Sequence, residues 1–314
     1  MKICVVGAGA IGGLIACRLH HAGEDVEVVA RGAQLRAIRE RGLIVQEADG
    51  HESIALLKAT DVISDVGPTN LLILAVKAHQ VSGLVHELAP LVGEQTLVMT
   101  AQNGIPWWYF SKHGGPHEGR RLETVDPGGL IADNLPIDRV IASIVYPAAE
   151  VVEPGRIKHI EGNRLSLAEL DESRSTRIEG VAEVFRKAGF KAPVVTGVRA
   201  ELWLKLWGNL SFNPISALTH ATLDDLCRYP PSRQLVGEMM SEAQAVGEAL
   251  EVRFRIPLEK RIAGGEAVGG HKTSMLQDVE AGRLMETEAL LGSVIELGRI
   301  TQVPTPHSTL CTLS

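Results

Sequence analysis

Short apolar runs and helical spacings alternate along the first half of the chain. Ile3-Cys4-Val5-Val6 is an uninterrupted apolar run closed by Gly7, the pattern of a strand buried on both faces. Ile11 to His21 repeats apolar residues at helical spacing and stops before Gly23, a residue suited to a helix C-terminus. Val26 to Val29, Leu71 to Val76, Thr96 to Met99 and Val140 to Val145 repeat the strand character. Gln34–Glu40 and Val81–Leu91 read as helices between them. Strands alternating with helices predict a parallel sheet covered on both faces.

From about Thr196 the texture changes. Gly197 to Ser211, Ser232 to Glu251, Pro257 to Gly265 and Ser274 to Leu297 carry helical periodicity, with no comparable strand runs. The predicted fold class is therefore α/β, with an N-terminal Rossmann-type parallel-sheet domain over residues 1–196 and an all-helical C-terminal domain over residues 197–314. Trp107 to Pro136 breaks the rhythm with Gly114-Gly115-Pro116 and Asp126-Pro127-Gly128-Gly129. It reads either as an excursion covering a cleft or an interface, or as a surface insertion.

Composition narrows the class without naming a function. Hydrophobic residues at 45% and charged residues at 22% exclude a disordered, collagen-like or coiled-coil chain. Lys+Arg 31 against Asp+Glu 38 gives a net charge of −7, and no basic block occurs, so neither nucleic acid nor an anionic membrane is an expected partner. Cys4, Cys17, Cys227 and Cys311 form no close pair and no metal-like spacing. That suits a reducing compartment, with Cys4 and Cys17 as small core hydrophobes. Met1-Lys2 before uncharged Ile3–Cys17 imitates a signal peptide, but the glycines within it and the missing cleavage region argue against one. No apolar stretch reaches the roughly 20 residues that cross a bilayer, and a cytoplasmic location is expected.

Gly7-Ala8-Gly9-Ala10-Ile11-Gly12 matches G-x-G-x-x-G directly after a predicted strand and at the start of a predicted helix. The first glycine makes the tight turn, the second admits a pyrophosphate to the backbone, and the third allows close helix–strand packing. The helix N-terminus then faces the anion. At the end of the second strand, where NAD sites usually carry an acid, this chain has Arg31, and Glu27 falls too early. A guanidinium pairs phosphate oxygens bidentately, so NADPH is the expected cofactor.

In the second half, Lys205, Asn209 and Asn213 stand at i, i+4 and i+8 among Leu, Trp and Phe, one polar stripe on an otherwise apolar helix. Buried polar groups need partners. Either a ligand supplies them, or Lys205 pairs with Glu201 and the asparagines cap the helix. Trp203 and Trp207 read as helix core, and His113 and His117 as loop residues rather than a metal pair, so no metal is expected.

The chain resembles the ketopantoate reductase (2-dehydropantoate 2-reductase) family over essentially its whole length. The resemblance rests on Gly7-x-Gly9-x-x-Gly12 with Arg31, Ala75-Val76-Lys77-Ala78, and Gln102-Asn103-Gly104. It continues through Arg199-Ala200-Glu201-Leu202-Trp203-x-Lys205-Leu206, Asn209, Asn213-Pro214, Ser274-Met275-Leu276-Gln277-Asp278 and Glu286. It implies NADPH-dependent reduction of a 2-keto acid to a 2-hydroxy acid, with Lys205 as general acid. Asn209 and Asn213 would hold substrate oxygens and Ser274 the substrate carboxylate. Gly7, Ala8, Gly9, Ala10, Ile11, Gly12, Arg31, Lys77, Asn103 and Glu286 would serve the cofactor. Leu291 stands where the family usually carries Asn, and the Trp107–Pro136 excursion is longer than usual, which leaves the keto acid open. Two alternatives follow: a reductase of another keto acid, or a non-catalytic NADP(H)-binding or redox-sensing protein. A homodimer is compatible with a helical second half.

Overall fold

A computed structural model describes residues 1–312. The chain divides into two compact units: Met1–Gln102, Phe110–Arg121 and Gly129–Val198 form the first, and Asn103–Tyr109, Leu122–Gly128 and Arg199–Ser314 the second. The Trp107–Pro136 excursion is thus apportioned between both rather than looped out, and Trp107, Trp108, Tyr109 and Phe110 are all buried.

The first unit runs β1 (Lys2–Val6), α1 (Ala10–His21), β2 (Asp25–Val29), α2 (Gly32–Arg41), β3 (Leu43–Gln46), β4 (Glu52–Ala55), β5 (Lys58–Thr60), β6 (Leu71–Leu74) and β7 (Leu97–Thr100). It continues α3 (Leu130–Asn134), β8 (Val140–Val145), β9 (Ala148–Glu153), β10 (Arg156–Glu161), β11 (Leu165–Glu169) and α4 (Thr176–Lys187). A seven-stranded sheet has the order β11-β8-β7-β6-β1-β2-β5. It is parallel except for β11, which pairs antiparallel with β8. β1 and β6 are buried on both faces, hence their unbroken apolar sequence.

A second sheet of four strands, β4-β3-β10-β9, has no counterpart in the sequence reading. It packs against α1, which also touches β1 and β2. This explains why α1 carries apolar or small residues nearly all round: a helix between two sheets has no wide face to give to water. Helix and sheet approach closely at Gly13, where a Cβ would lie 2.1 Å from the Ile157 Cδ1 and displace the end of that side chain. Cys4 and Cys17 are fully buried core residues. Val81–Leu91, expected as a helix, is only a 3-10 helix over Val85–Leu91, and Pro90 near its end has no N–H to donate.

The second unit contains α5 (Val198–Thr219), α6 (Leu223–Arg228), α7 (Pro230–Ala249), α8 (Leu258–Ala267), α9 (Ser274–Glu280), α10 (Ser293–Thr301) and α11 (Pro306–Leu310), with no strand among its described residues. The α/β class with a helical C-terminal region is as the sequence predicts. Two helices differ from expectation. α5 continues through Pro214 to Thr219 instead of ending near Ser211. The helix expected over Ser274–Leu297 is broken: Gly282 takes φ +63 and the Arg283 N–H closes on the Asp278 carbonyl at 2.8 Å. A single π turn, Glu288–Gly292, then leads into α10. No helix among the described residues is long and apolar enough to cross a membrane.

Candidate active site

Three adjacent parallel strands, β6-β1-β2, end at one edge of the large sheet. That order places Lys77, the Gly7–Gly12 loop and Arg31 along the same edge, the usual ligand edge of such sheets. Gly7 adopts φ +105, and a Cβ on it would sit 2.8 Å from the Val76 backbone nitrogen. A Cβ on Gly12 would overlap the Gly7 carbonyl oxygen at 1.9 Å. Gly9 differs: it caps α1 with φ −73, and a Cβ there meets nothing within 4 Å. The open space lies in front of a helix terminus with no side-chain cap and no acid in its first turn. First-turn N–H groups have no intrahelical partner, so this cradle fits a diphosphate.

Arg31 follows β2, caps α2 in extended conformation and keeps 64% of its side chain exposed, with Glu87 4.0 Å away. Lys77 is half-buried, and its N–H donates to Gln80 Oε1 at 3.1 Å. Gln34 also reaches this loop, although the sequence pattern does not point to it. Its Nε2 donates to the Ala8 carbonyl at 2.6 Å and its Oε1 accepts from the Gly155 N–H at 2.9 Å, so it fixes the glycine loop. No spacing rule points to such a residue; its role follows from a contact between distant segments.

In the second unit, α5 carries the polar stripe. Trp203 and Trp207 are fully buried, and Trp207 Nε1 donates to the Met240 carbonyl at 2.6 Å, which fixes the rotation of the helix. With that face committed, Lys205 and Asn209 are half-buried on another, and Asn213 is buried. Lys205 Nζ donates to Asn103 Oδ1 at 2.7 Å. Enclosure pushes the lysine pKa down to about 8, against the opposing pull of the Glu286 carboxylate. Asn103, Lys205 and Glu286 are therefore brought together from three separate parts of the sequence. Asn209 and Asn213 share the Lys205 face through helix geometry. Ser274 is exposed as the first residue of α9, where Thr273 caps the helix by accepting from the Leu276 N–H at 3.2 Å.

Residues outside this arrangement keep structural partners. His113 and His117 both pack against the Phe110 ring, at 5.6 and 5.4 Å between centroids. Leu291 is fully buried, so its departure from the family pattern acts through packing.

A doubly wound sheet with a diphosphate cradle, in a chain whose helical unit carries an enclosed lysine, defines the class of dinucleotide-dependent oxidoreductases. Two family models match, "Ketopantoate reductase PanE/ApbA" over residues 3–110 and "Ketopantoate reductase PanE/ApbA C terminal" over residues 197–313. A curated 2-dehydropantoate 2-reductase of Mesorhizobium japonicum is 52% identical, covering 98% of this chain and 94% of its own. A solved structure from Ralstonia solanacearum MolK2, described as a candidate ketopantoate reductase, is 40% identical with TM-score 0.94 over 99% of this chain and 96% of that one. The 2-dehydropantoate 2-reductase of Geobacter metallireducens GS-15 is 26% identical with TM-score 0.87, over 100% and 98%. The chain belongs to the ketopantoate reductase family of oxidoreductases.

Proposed function

We propose that this protein reduces 2-dehydropantoate to pantoate with NADPH, and that Lys205 is the general acid. The observation that carries the reading is the enclosed Lys205 ammonium, held by Asn103 and facing the field of Glu286. The glycine loop would hold the diphosphate, Lys77, Asn103 and Glu286 would serve the cofactor as the family resemblance implies, and Arg31 would pair a 2′-phosphate. When bound, the reduced nicotinamide supplies a hydride to the keto carbon.

Charge then develops on the former carbonyl oxygen. An ammonium in a poorly solvated site stabilises that charge and donates the proton that completes the hydroxyl. A pKa near 8 suits a proton donor, because the group is charged at neutral pH and still gives its proton readily. Asn209 and Asn213 would hold the substrate oxygens from the next turns of α5, and Ser274 the carboxylate. The presence of Lys205, Asn209, Asn213, Ser274 and Glu286 in one chain favours an enzyme over a cofactor sensor, which needs none of them.

The test is oxidation of NADPH followed with 2-dehydropantoate, beside a panel of other 2-keto acids and an NADH control. Turnover of 2-dehydropantoate with NADPH well above NADH is expected. Preference for another acid would move the substrate and keep the chemistry. NADPH binding without turnover of any panel acid would overturn the reading.

A further inference from the structure

We infer that Gly104, docked with Ile105 into the π turn at Ala289, is a positioning residue that holds Asn103 against the Lys205 ammonium. The inference rests on Lys205 being the proton donor, and it gives the Asn103–Tyr109 segment a role in holding that donor charged.

That segment is pinned at both ends. Near its start, the Ile105 N–H donates to the Ala289 carbonyl at 2.8 Å. At its end, the Tyr109 carbonyl accepts from Arg199 Nε at 2.9 Å, and the Tyr109 hydroxyl accepts from Trp203 Nε1 at 2.7 Å. Arg199 and Trp203 lie on the opening turns of α5, the helix that carries Lys205. Ala289 lies in the π turn that follows Glu286. One end is therefore fixed to the helix of the lysine and the other to the stretch behind the carboxylate.

The docking demands glycine for two independent reasons. Gly104 has φ +86, where L side chains are rarely found. A Cβ built on it would also fall 2.2 Å from the Ala289 oxygen and 2.5 Å from its carbonyl carbon, both backbone atoms that cannot swing aside. A π turn shifts its backbone bonding by one residue and is a recurrent feature of functional sites. Here the Ala289 carbonyl receives the Ile105 N–H and also the Ser293 hydroxyl, at 2.8 Å each. Relieving the overlap would move Gly104 by about an ångström, and a hydrogen bond stretched that far is lost. Asn103 is the adjoining residue, so its 2.7 Å bond to Lys205 would go with it. Because Asn103 Oδ1 accepts from the ammonium, losing it disfavours the charged lysine.

The test compares Gly104→Ala, Asn103→Ala and their double variant with the parent protein. Two readouts are used: the pH midpoint of kcat/KM for reduction, and the Lys205 pKa followed by NMR of 13C-lysine-labelled protein. Gly23→Ala serves as control, since Gly23 has φ +88 with open space around its Cβ and shares the backbone strain without the overlap. Both single variants should lower the lysine pKa by about one unit, with no further shift in the double variant and none in the control. A Gly104→Ala protein with the parental lysine pKa, or shifts that add in the double variant, would overturn the inference.

If Gly104→Ala does not fold, Ala289→Gly loosens the same contact without overlap. A lowered lysine pKa there supports the inference, and faster exchange of the Ile105 amide with an unchanged pKa overturns it. The NMR readout needs no substrate. A shifted Lys205 pKa in a protein that reduces no keto acid would sink the proposed function and leave the positioning role standing.

Discussion

Lys205 is the residue at which burial, charge and chemistry meet. Its pKa is pushed down to about 8, first by desolvation and against the help of Glu286. As the proposed proton donor it must be charged, so kcat/KM for reduction should be level below pH 8 and fall about tenfold per unit above it. Lys205→Ala should reduce kcat by about 100-fold or more while NADPH still binds. Stability carries the opposite sign. The unfolded chain holds the lysine proton up to its ordinary value of 10.5, whereas the folded protein releases it near 8. Stability therefore rises with pH across that window. Lys205→Met should raise Tm relative to the parent at pH 7, and the gap should close as pH approaches 10.5. A gap independent of pH would show that the lysine is not desolvated. The glycines offer a second test at this scale. Gly9→Ala meets no protein atom within 4 Å and has an ordinary φ, so Tm should be unchanged. Its methyl would fill the space proposed for the diphosphate, and NADPH affinity should drop at least about tenfold, roughly 1.4 kcal/mol, by fluorescence titration.

Single elements hold together through buried polar clusters that join segments far apart in sequence. α11 has five residues, too few to stand alone. The Glu242 carboxylate, from α7, accepts from the backbone N–H groups of His307 and Ser308 at 2.7 and 3.0 Å and from the Ser308 hydroxyl at 2.8 Å. Its Oε1 also lies 2.8 Å from the His307 ring, whose other nitrogen is 3.2 Å from Glu238. Glu242→Gln removes one acceptor oxygen from this cluster and should cost about 1.5–3 kcal/mol in denaturant unfolding. Proteolysis should become faster near residue 306. In the first unit, Glu47 accepts from Arg18 Nε at 3.0 Å and from its Nη2 at 2.5 Å, and lies 2.8 Å from His159 Nδ1. Desolvation raises the Glu47 pKa, but Arg18 and His159 together outweigh it and hold the carboxyl below its ordinary value. This clamp ties α1 to the four-stranded sheet. It is present above the carboxylate range and is lost as pH falls through the depressed value.

For the molecule as a whole, the proposed function assigns cofactor binding and proton donation to different residues, and thermal shift separates them. A ligand bound only by the folded state stabilises it by about 2.7 kcal/mol at 100 times its dissociation constant. NADPH should raise Tm in the parent and in Lys205→Ala alike. In Arg31→Ala the NADPH shift should shrink while any NADH shift stays, because only NADPH carries the 2′-phosphate. Equal shifts with both cofactors in the parent would remove Arg31 as the discriminating group.

The sequence by itself determined whatever a local period can encode. β1, the glycine loop, α1 and β2 follow from apolar runs, glycine placement and helical spacing within some thirty residues. The stripe on α5 follows from a helical period, because side chains four residues apart must share a face. Tertiary structure alone decided what crosses the chain. The four-stranded sheet pairs β3, a strand of four residues, with β10, a strand of six residues and mixed polarity that lies more than 100 residues away. Gln34 on the glycine loop, Glu242 on α11 and Ile105 in the π turn are contacts between remote segments, and no spacing specifies them. The lysine shows the division within one residue. Its place on the helix is written locally, but its partner Asn103 lies 102 positions away, and its pKa depends on how completely folding removes water.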